Sequence, residues 1–360
     1  MPSPRILVLY NEPILPLDHP DSAAEDDIGG TVNTVVRTLR GAGFRVAREG
    51  IGNDLSALAE GLLEHSPDAV FNLFEGLSDR PFTESVVAGM LEWLSVPFTG
   101  SPSDTLALAR DKQRTKHLLQ GAKLPTAPFF TVDHLPVPKC KLEWPVIVKP
   151  ANQDASCGIE QESVVQDQRE LEERVALMLS IYGGTILVEQ FVTGREFLVS
   201  VVEGAPDERG RCTPMVLPAA EIVFKDPNLW PIYSYNAKWA KTSDEYLATP
   251  MHVPVILPYR QMDEIADIAR RAFRLLGCRD YARVDLRVTA DGRPFILEVN
   301  PNPYIDSVAM IEGMAAIGSV HSAFIVDMTR AALSRRPPRT VAPRKRSRTR
   351  TKMPRMQEAS

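Results

Sequence analysis

Tyr281–Asn302, YARVDLRVTADGRPFILEVNPN, reads as a β-hairpin with one face for the core and one for chemistry. Two apolar-alternating runs, Tyr281–Val288 and Pro294–Val299, flank Asp291-Gly292, the strongest short-range hairpin signal. A two-residue turn at that pair sets Asp285 opposite Glu298 and Arg283 opposite Asn300. Val284 then faces Val299, and Leu286 faces Leu297, on the other side of the pleat. Like charges directly opposite each other destabilise a strand pair. Either the face is solvated and Arg283 balances the acids, or a cation sits between the carboxylates. One or two carboxylates, completed by substrate phosphates, are how Mg²⁺ is usually held.

Upstream the pattern changes. Arg5–Tyr10, Phe44–Ala47, Ala69–Leu73 and Val96–Thr99 read as buried strands. The spacing of Ile28, Val32, Val35, Val36 and Leu39 predicts a helix, and Leu55–Glu64 and Thr83–Leu94 predict two more. Strands alternating with helices imply a parallel sheet covered on both faces, with ligands at the strand C-termini. Those ends carry Asn11, Glu12, the NLFEG run at 72–76, Gly100 and Ser101. The acidic stretch DHPDSAAEDDIGG (18–30) is a solvated loop or part of the same edge.

Beyond Asp104, a helix from Asp111 to Gln120 carries Lys112, Arg114 and Lys116. A proline-punctuated connector leads into the strand Trp144–Lys149, and PANQDASCGI (150–159) is a small polar loop suited to phosphate. It lacks the GKS or GKT of a Walker loop. Leu171–Leu179 is helical, Thr185–Glu189 and Glu196–Val202 are strands, and 203–213 is a polar hairpin tip. Residues 225–254 form a long segment of the kind that makes functional lids. An amphipathic helix, Met262–Leu276, leads into the hairpin, and 306–333 is mostly helical.

Composition is ordinary for a globular chain of 360 residues, 44% hydrophobic and 24% charged, with no run long enough to span a membrane. The N-terminal apolar run is too short for a signal peptide. Four scattered cysteines without a CxxC suit a reducing cytoplasm and give no zinc site. The net charge of −5 conceals a basic tail, residues 334–360, with ten Arg/Lys and one Glu. The tail has no apolar periodicity and is expected to be disordered.

Three separated stretches, VIVKPANQDASCGI (146–159), VEQFVTGREF (188–197) and ARVDL with FILEVNPNP (282–303), together resemble the ATP-grasp fold. FNLFEG, the run 96–116 and SYNAKW (234–239) extend the likeness to the D-alanine–D-alanine ligases over residues 5–333. The resemblance implies an α/β architecture: a parallel-sheet pre-ATP-grasp domain (1–104), then an α+β ATP-grasp part with a central lobe (105–184) and a metal-bearing C-terminal lobe (185–333). It assigns Lys112 and Lys149 to ATP phosphates, and Ser156 to the loop closing over them. Glu189, Gln190 and Val192 match the adenine segment and Glu196 the ribose acid. Asp285, Glu298 and Asn300 match magnesium ligands, Arg283 the guanidinium beside the acyl phosphate, and Lys238 a lid lysine. ATP and Mg²⁺, or Mn²⁺ in its place, are the implied cofactors. Amino acids or short peptides are the implied substrates, and a homodimer is compatible. No membrane is expected; the basic tail allows attachment to nucleic acid or an anionic surface, but such tails commonly serve only as solvated extensions.

The departures fall on the amino-acid side. The family carries a histidine where this chain has Glu75, and a serine and a tyrosine where it has Ala155 and Trp239. Its Pro-Gly-Met-Thr run is replaced by Pro303-Tyr304-Ile305-Asp306, and Glu25 is the loose match for the glutamate near the acceptor amine. Hydrogen-bonding sites stripped of their hydroxyls seldom keep a substrate, because unpaired partners cost about 1–3 kcal/mol each. The expected activity is an ADP-forming carbon–nitrogen ligase acting on a pair other than two D-alanines. A genuine D-alanine–D-alanine ligase and a non-catalytic nucleotide-binding protein are the alternatives.

Overall fold

The computed structural model describes residues 3–14, 28–77, 80–153, 156–203 and 212–335. Glu25, Ala155, most of the 203–213 tip and the tail beyond Arg335 lie outside them. The N-terminal alternation builds a parallel sheet in the order β2-β1-β3, from β1 (Arg5–Asn11), β2 (Arg45–Ile51) and β3 (Ala69–Leu73). Helix Ile28–Gly41 lays Val32, Val35, Val36 and Leu39 on it, the face its spacing demands. That core continues into the C-terminal helices Val308–Ala316 and His321–Ser334 through Met310, Phe324, Ile325 and Met328.

Val96–Thr99 is not a fourth strand. Val96 N–H turns back to Leu91 O at 2.9 Å, closing the preceding helix, and Pro97 has no N–H to give. A single bridge, Val70 to Phe98, remains. The chain then enters helix Ser103–Arg110, which sequence periodicity did not show. Asp111 breaks and restarts the helix: its side chain accepts from Arg114 N at 2.9 Å, starting Lys112–Gly121.

Two antiparallel sheets follow. One has the order β4-β7-β5-β6, from β4 (Phe129–Val132), β5 (Val146–Pro150), β6 (Val164–Val165) and β7 (Ile186–Gln190). The other runs β11-β10-β8-β12-β13, with β9 on β8. Its members are β8 (Arg195–Glu203), β9 (Pro214–Val216), β10 (Ala220–Ile222), β11 (Met251–His252), β12 (Tyr281–Val288) and β13 (Pro294–Pro301). The chain crosses between these sheets at 191–194. A Cβ on Gly194 would collide with the Val288 carbonyl, so only glycine allows that approach. The segment 225–254 is not one long loop, since it forms helices Tyr235–Trp239 and Asp244–Ala248 and then β11.

Among the described residues no single helix is long and apolar enough to cross a membrane. The two C-terminal helices, bent by 98°, have that composition together but spend it on the first core. Their last contact matters for stability. Arg335 holds Asp280, which is 3% exposed, and donates to Phe98 O at 3.0 Å. The body therefore extends two residues past the expected tail boundary, through Ser334 and Arg335. A chain ending at Ser334 should melt about 3–6 °C below one ending at Arg335, because the buried Asp280 keeps its bond from Gly100 N–H but loses its guanidinium partner. Calorimetry of the two truncations measures this, and equal midpoints would refute it.

Candidate active site

The hairpin forms with Asp285 opposite Glu298, Arg283 opposite Asn300 and Val284 opposite Val299. Its turn is longer than Asp-Gly alone. Gly292 N–H bonds to Thr289 O at 2.9 Å, giving a three-residue loop closed by Gly292 at φ +87°. That shifts the register by one, so Leu286 faces Ile296 and not Leu297. A β-bulge at Leu297 shifts it back before the acids. The bulge also lets Ile296 N–H bond to Pro125 O at 2.8 Å, tying the hairpin to the segment after helix Lys112–Gly121.

On the cleft face, Arg283 grips Asp285 with two bonds of 2.6 and 2.8 Å. Asn300 Nδ2 donates to Asp285 at 3.0 Å and to Glu298 at 3.3 Å, so an amide N–H₂ stands between the carboxylates. Lys112 Nζ lies 3.7 Å from Glu298. Burial pushes the Asp285 carboxyl up, against the pull of Arg283. Two carboxylates and one amide fit a divalent cation: turning the amide about its bond would exchange N–H donors for an oxygen. Among the described residues no cluster of three or more His, Cys, Asp or Glu gathers anywhere, so a cation here would need oxygens from a phosphate.

Next to this trio lies a buried charge cluster. Glu189, 2% exposed, is clamped between the Lys116 and Lys149 ammoniums. Burial pushes its carboxyl up, but the two lysines outweigh that and hold it at about 2. Lys116 follows Lys112 by one helical turn and also donates to Thr126 at 2.6 Å. Lys112 Nζ bonds to Gln153 O, at the edge of the polar loop. The carboxylate expected at adenine thus faces the lysines. Gln190 Nε2 donates to Glu143 at 3.2 Å. Glu196, 6% exposed, accepts from Arg287 Nε and Nη2 at 3.0 and 2.7 Å, and Arg287 Nη1 donates to Val192 O at 2.8 Å.

The 225–254 segment closes over these groups. Ser156 donates to Tyr233 O at 2.9 Å, and Tyr235 N–H bonds to Ile159 O at 3.0 Å, joining the polar loop to the segment. Ser234 caps helix Tyr235–Trp239 and so places Lys238, whose ammonium lies 5.1 Å from the Trp239 ring. Burial and the nearby Arg283 push the Lys238 amine down, while Glu298, Asp285 and Glu75 pull it up. Lys238, the Asp285–Glu298–Asn300 trio and Glu75 therefore share one electrostatic neighbourhood.

Glu75 and Tyr304 line one cavity of about 10 Å³, room for roughly one water, and Trp239 is not among its lining residues. Ile28, Leu73, Phe74, Tyr281 and Ile305 make its apolar wall. Thr31, Asn72 and Asn302 also line it, and Thr31 Oγ1, Asn72 Nδ2 and Asn302 Nδ2 are buried without a hydrogen-bond partner. Asn302 stands at φ 50° and accepts from Ser101 N–H at 2.7 Å, so its Oδ1 is fixed and its amide N–H₂ is left over.

A family model described as the C-terminus of D-ala D-ala ligase matches residues 118–328. The D-alanine–D-alanine ligase of Synechococcus sp. (strain JA-3-3Ab) is 33% identical over 258 residues, covering 70% of this chain and 73% of that one. The chain belongs to the D-Ala–D-Ala ligase family. It is an ATP-grasp ligase. The family's enzyme from Cupriavidus pinatubonensis is 30% identical, covering 84% of this chain and 89% of its own. The crystal structure of the Bacillus anthracis D-alanine–D-alanine ligase complexed with ATP superposes with a TM-score of 0.70 over 93% of this chain at 20% identity, a likeness of fold. Of the D-Ala–D-Ala ligase-like residues read from the sequence, Lys112, Arg283, Asp285, Glu298 and Asn300 come together directly. Lys116, Arg287, Thr31 and Asn302 were missed. Helical spacing from Lys112 and strand alternation from Asp285 could have found the first two.

Proposed function

We propose that this chain joins a carboxylate to an amine at the expense of ATP, and that its substrate pair is not two D-alanines. The observation that carries the chemistry is the joint placement of Arg283, Lys112 and Lys238 around the Asp285–Glu298–Asn300 trio. A carboxylate lacks a leaving group. Attack of its oxygen on the γ-phosphorus releases ADP and leaves an acyl phosphate. An amine then attacks the acyl carbon, losing a proton as phosphate departs. Asp285, Glu298 and Asn300 would hold Mg²⁺, which when bound neutralises charge on the β- and γ-phosphates. Lys112 and Lys149 would hold the phosphates, and Arg283 the oxyanion at the reacting carboxyl. Ser156, through its bond to Tyr233, couples the phosphate loop to the lid, which keeps water from the acyl phosphate. The same reading puts adenine at the 190–192 backbone and the work in the cytoplasm, where ATP is available.

The substrate reading rests on the recess beside Glu75 and Tyr304. Its unpartnered groups present two amide N–H₂ donors and a hydroxyl, which together suit a single acceptor oxygen of a substrate. Glu75, exposed at its mouth, suits an amine. A bulkier acceptor with a basic end meets both requirements. Phosphate release from ATP with D-alanine alone, against paired amino acids and short peptides, tests this. A basic acceptor should exceed D-alanine in kcat/KM by at least about tenfold, the worth of one charge-assisted hydrogen bond. If D-alanine alone gives the highest kcat/KM, the plain D-alanine–D-alanine ligase reading wins.

A further inference from the structure

We propose that Arg287 is a positioning residue for the nucleotide, holding Glu196 in the orientation that reads the sugar and locking the 190–192 segment to the lid. The inference rests on the nucleotide reading above and goes beyond it, because nothing in that reading uses a guanidinium at this place. Arg287 lies on the cleft face of β12, two residues from Asp285 and directly paired in register with Glu196 on β8. It is 3% exposed. A buried guanidinium is costly unless its donors are taken, and here they are. Nε and Nη2 reach Glu196, Nη1 reaches Val192 O, and Nη2 also reaches Pro231 O at the start of the lid.

The bonds fall unevenly on the acid. Both guanidinium nitrogens bond to Oε2 of Glu196 at 3.0 and 2.7 Å, leaving Oε1 with lone pairs to accept from a hydroxyl. The guanidinium carbon also lies over two rings, 4.7 Å from the Phe191 centroid and 5.9 Å from that of Phe224. One side chain thus connects three separate elements: the strand carrying the acid, the crossing between the sheets, and the lid.

The test is direct titration of the full chain with ATP and with 2′-deoxy-ATP, in the presence of Mg²⁺ and without any amino-acid substrate. Wild type should prefer ATP by about tenfold, the worth of one hydrogen bond to a charged acceptor. In Arg287→Met, which keeps the apolar contact with the rings, the preference should fall to about threefold or less. Arg287→Lys keeps a cation beside Glu196, and so keeps the fold if the Met variant loses it. It cannot reach the carboxylate and both carbonyls together, so its preference should also drop. Folded variants that bind ATP with the wild-type ratio would overturn the role of Arg287 alone. Wild type that binds neither nucleotide would overturn this role and the nucleotide reading together.

Discussion

Replacing Glu298 with alanine should leave the fold standing and remove ATP turnover. The side chain is 31% exposed, and its neighbours are Asn300 at 3.3 Å and Lys112 at 3.7 Å, both of which keep other partners. The buried Lys112 loses this counter-charge but keeps its bond to Gln153 O, and Lys238 keeps Asp285 and Glu75 nearby, so the midpoint of thermal unfolding should fall by only about 2–4 °C. The acid nevertheless supplies one of only two carboxylates facing the cleft at the hairpin. In proposing a metal site there, we assign it half the charge that would hold the ion. Loss of a single preorganised group at a charge-developing centre typically costs about 10²–10³ in kcat, and a ligand should cost at least that. Phosphate release at rising Mg²⁺ measures it. Wild-type rates at saturating Mg²⁺ would sink the assignment, while a large fall in midpoint would show that Glu298 is structural.

That acid was legible in the sequence because two irregularities cancel. The turn carries one residue more than Asp291-Gly292 alone, and the bulge at Leu297 adds one to the opposite strand. Alternation alone therefore put Asp285 against Glu298 correctly and Leu286 against Leu297 wrongly. Local pattern also found the helix over Ile28–Gly41 and the strand Ala69–Leu73, whose faces are set by burial. It failed at Val96–Thr99, where a helix cap and Pro97 use up or remove the donors a strand needs. The recess could not be read at all. Thr31, Asn72 and Asn302 sit in three different parts of the chain and meet only when the parallel sheet packs beside the hairpin. Arg287 lay in plain view two residues from Asp285, but its value depends on Glu196 and Pro231, which periodicity does not connect to it.

The Lys116–Glu189–Lys149 cluster carries the largest expected effect on stability. Glutamine at 189 preserves shape but leaves two buried ammoniums facing each other without a counterion. Breaking a buried ionic group in this way costs about 3–5 kcal/mol, so Glu189→Gln should lower the midpoint by about 6–12 °C. Acid gives an independent signature. Glu189 titrates near 4.5 when unfolded and at about 2 when folded, since the two lysines outweigh burial. Between those values the unfolded chain binds a proton that the folded chain refuses. The carboxylate's contribution is therefore complete above about 4.5 and fades as pH falls toward about 2. Burial also pushes the Lys116 amine down, against the pull of Glu189. Lowering the pH from about 6 to about 3 should thus strip wild type of on the order of 2 kcal/mol that the glutamine variant never had. Urea unfolding of both proteins across that range measures the gap. A gap that stays constant would mean that Glu189 is not the group the lysines stabilise.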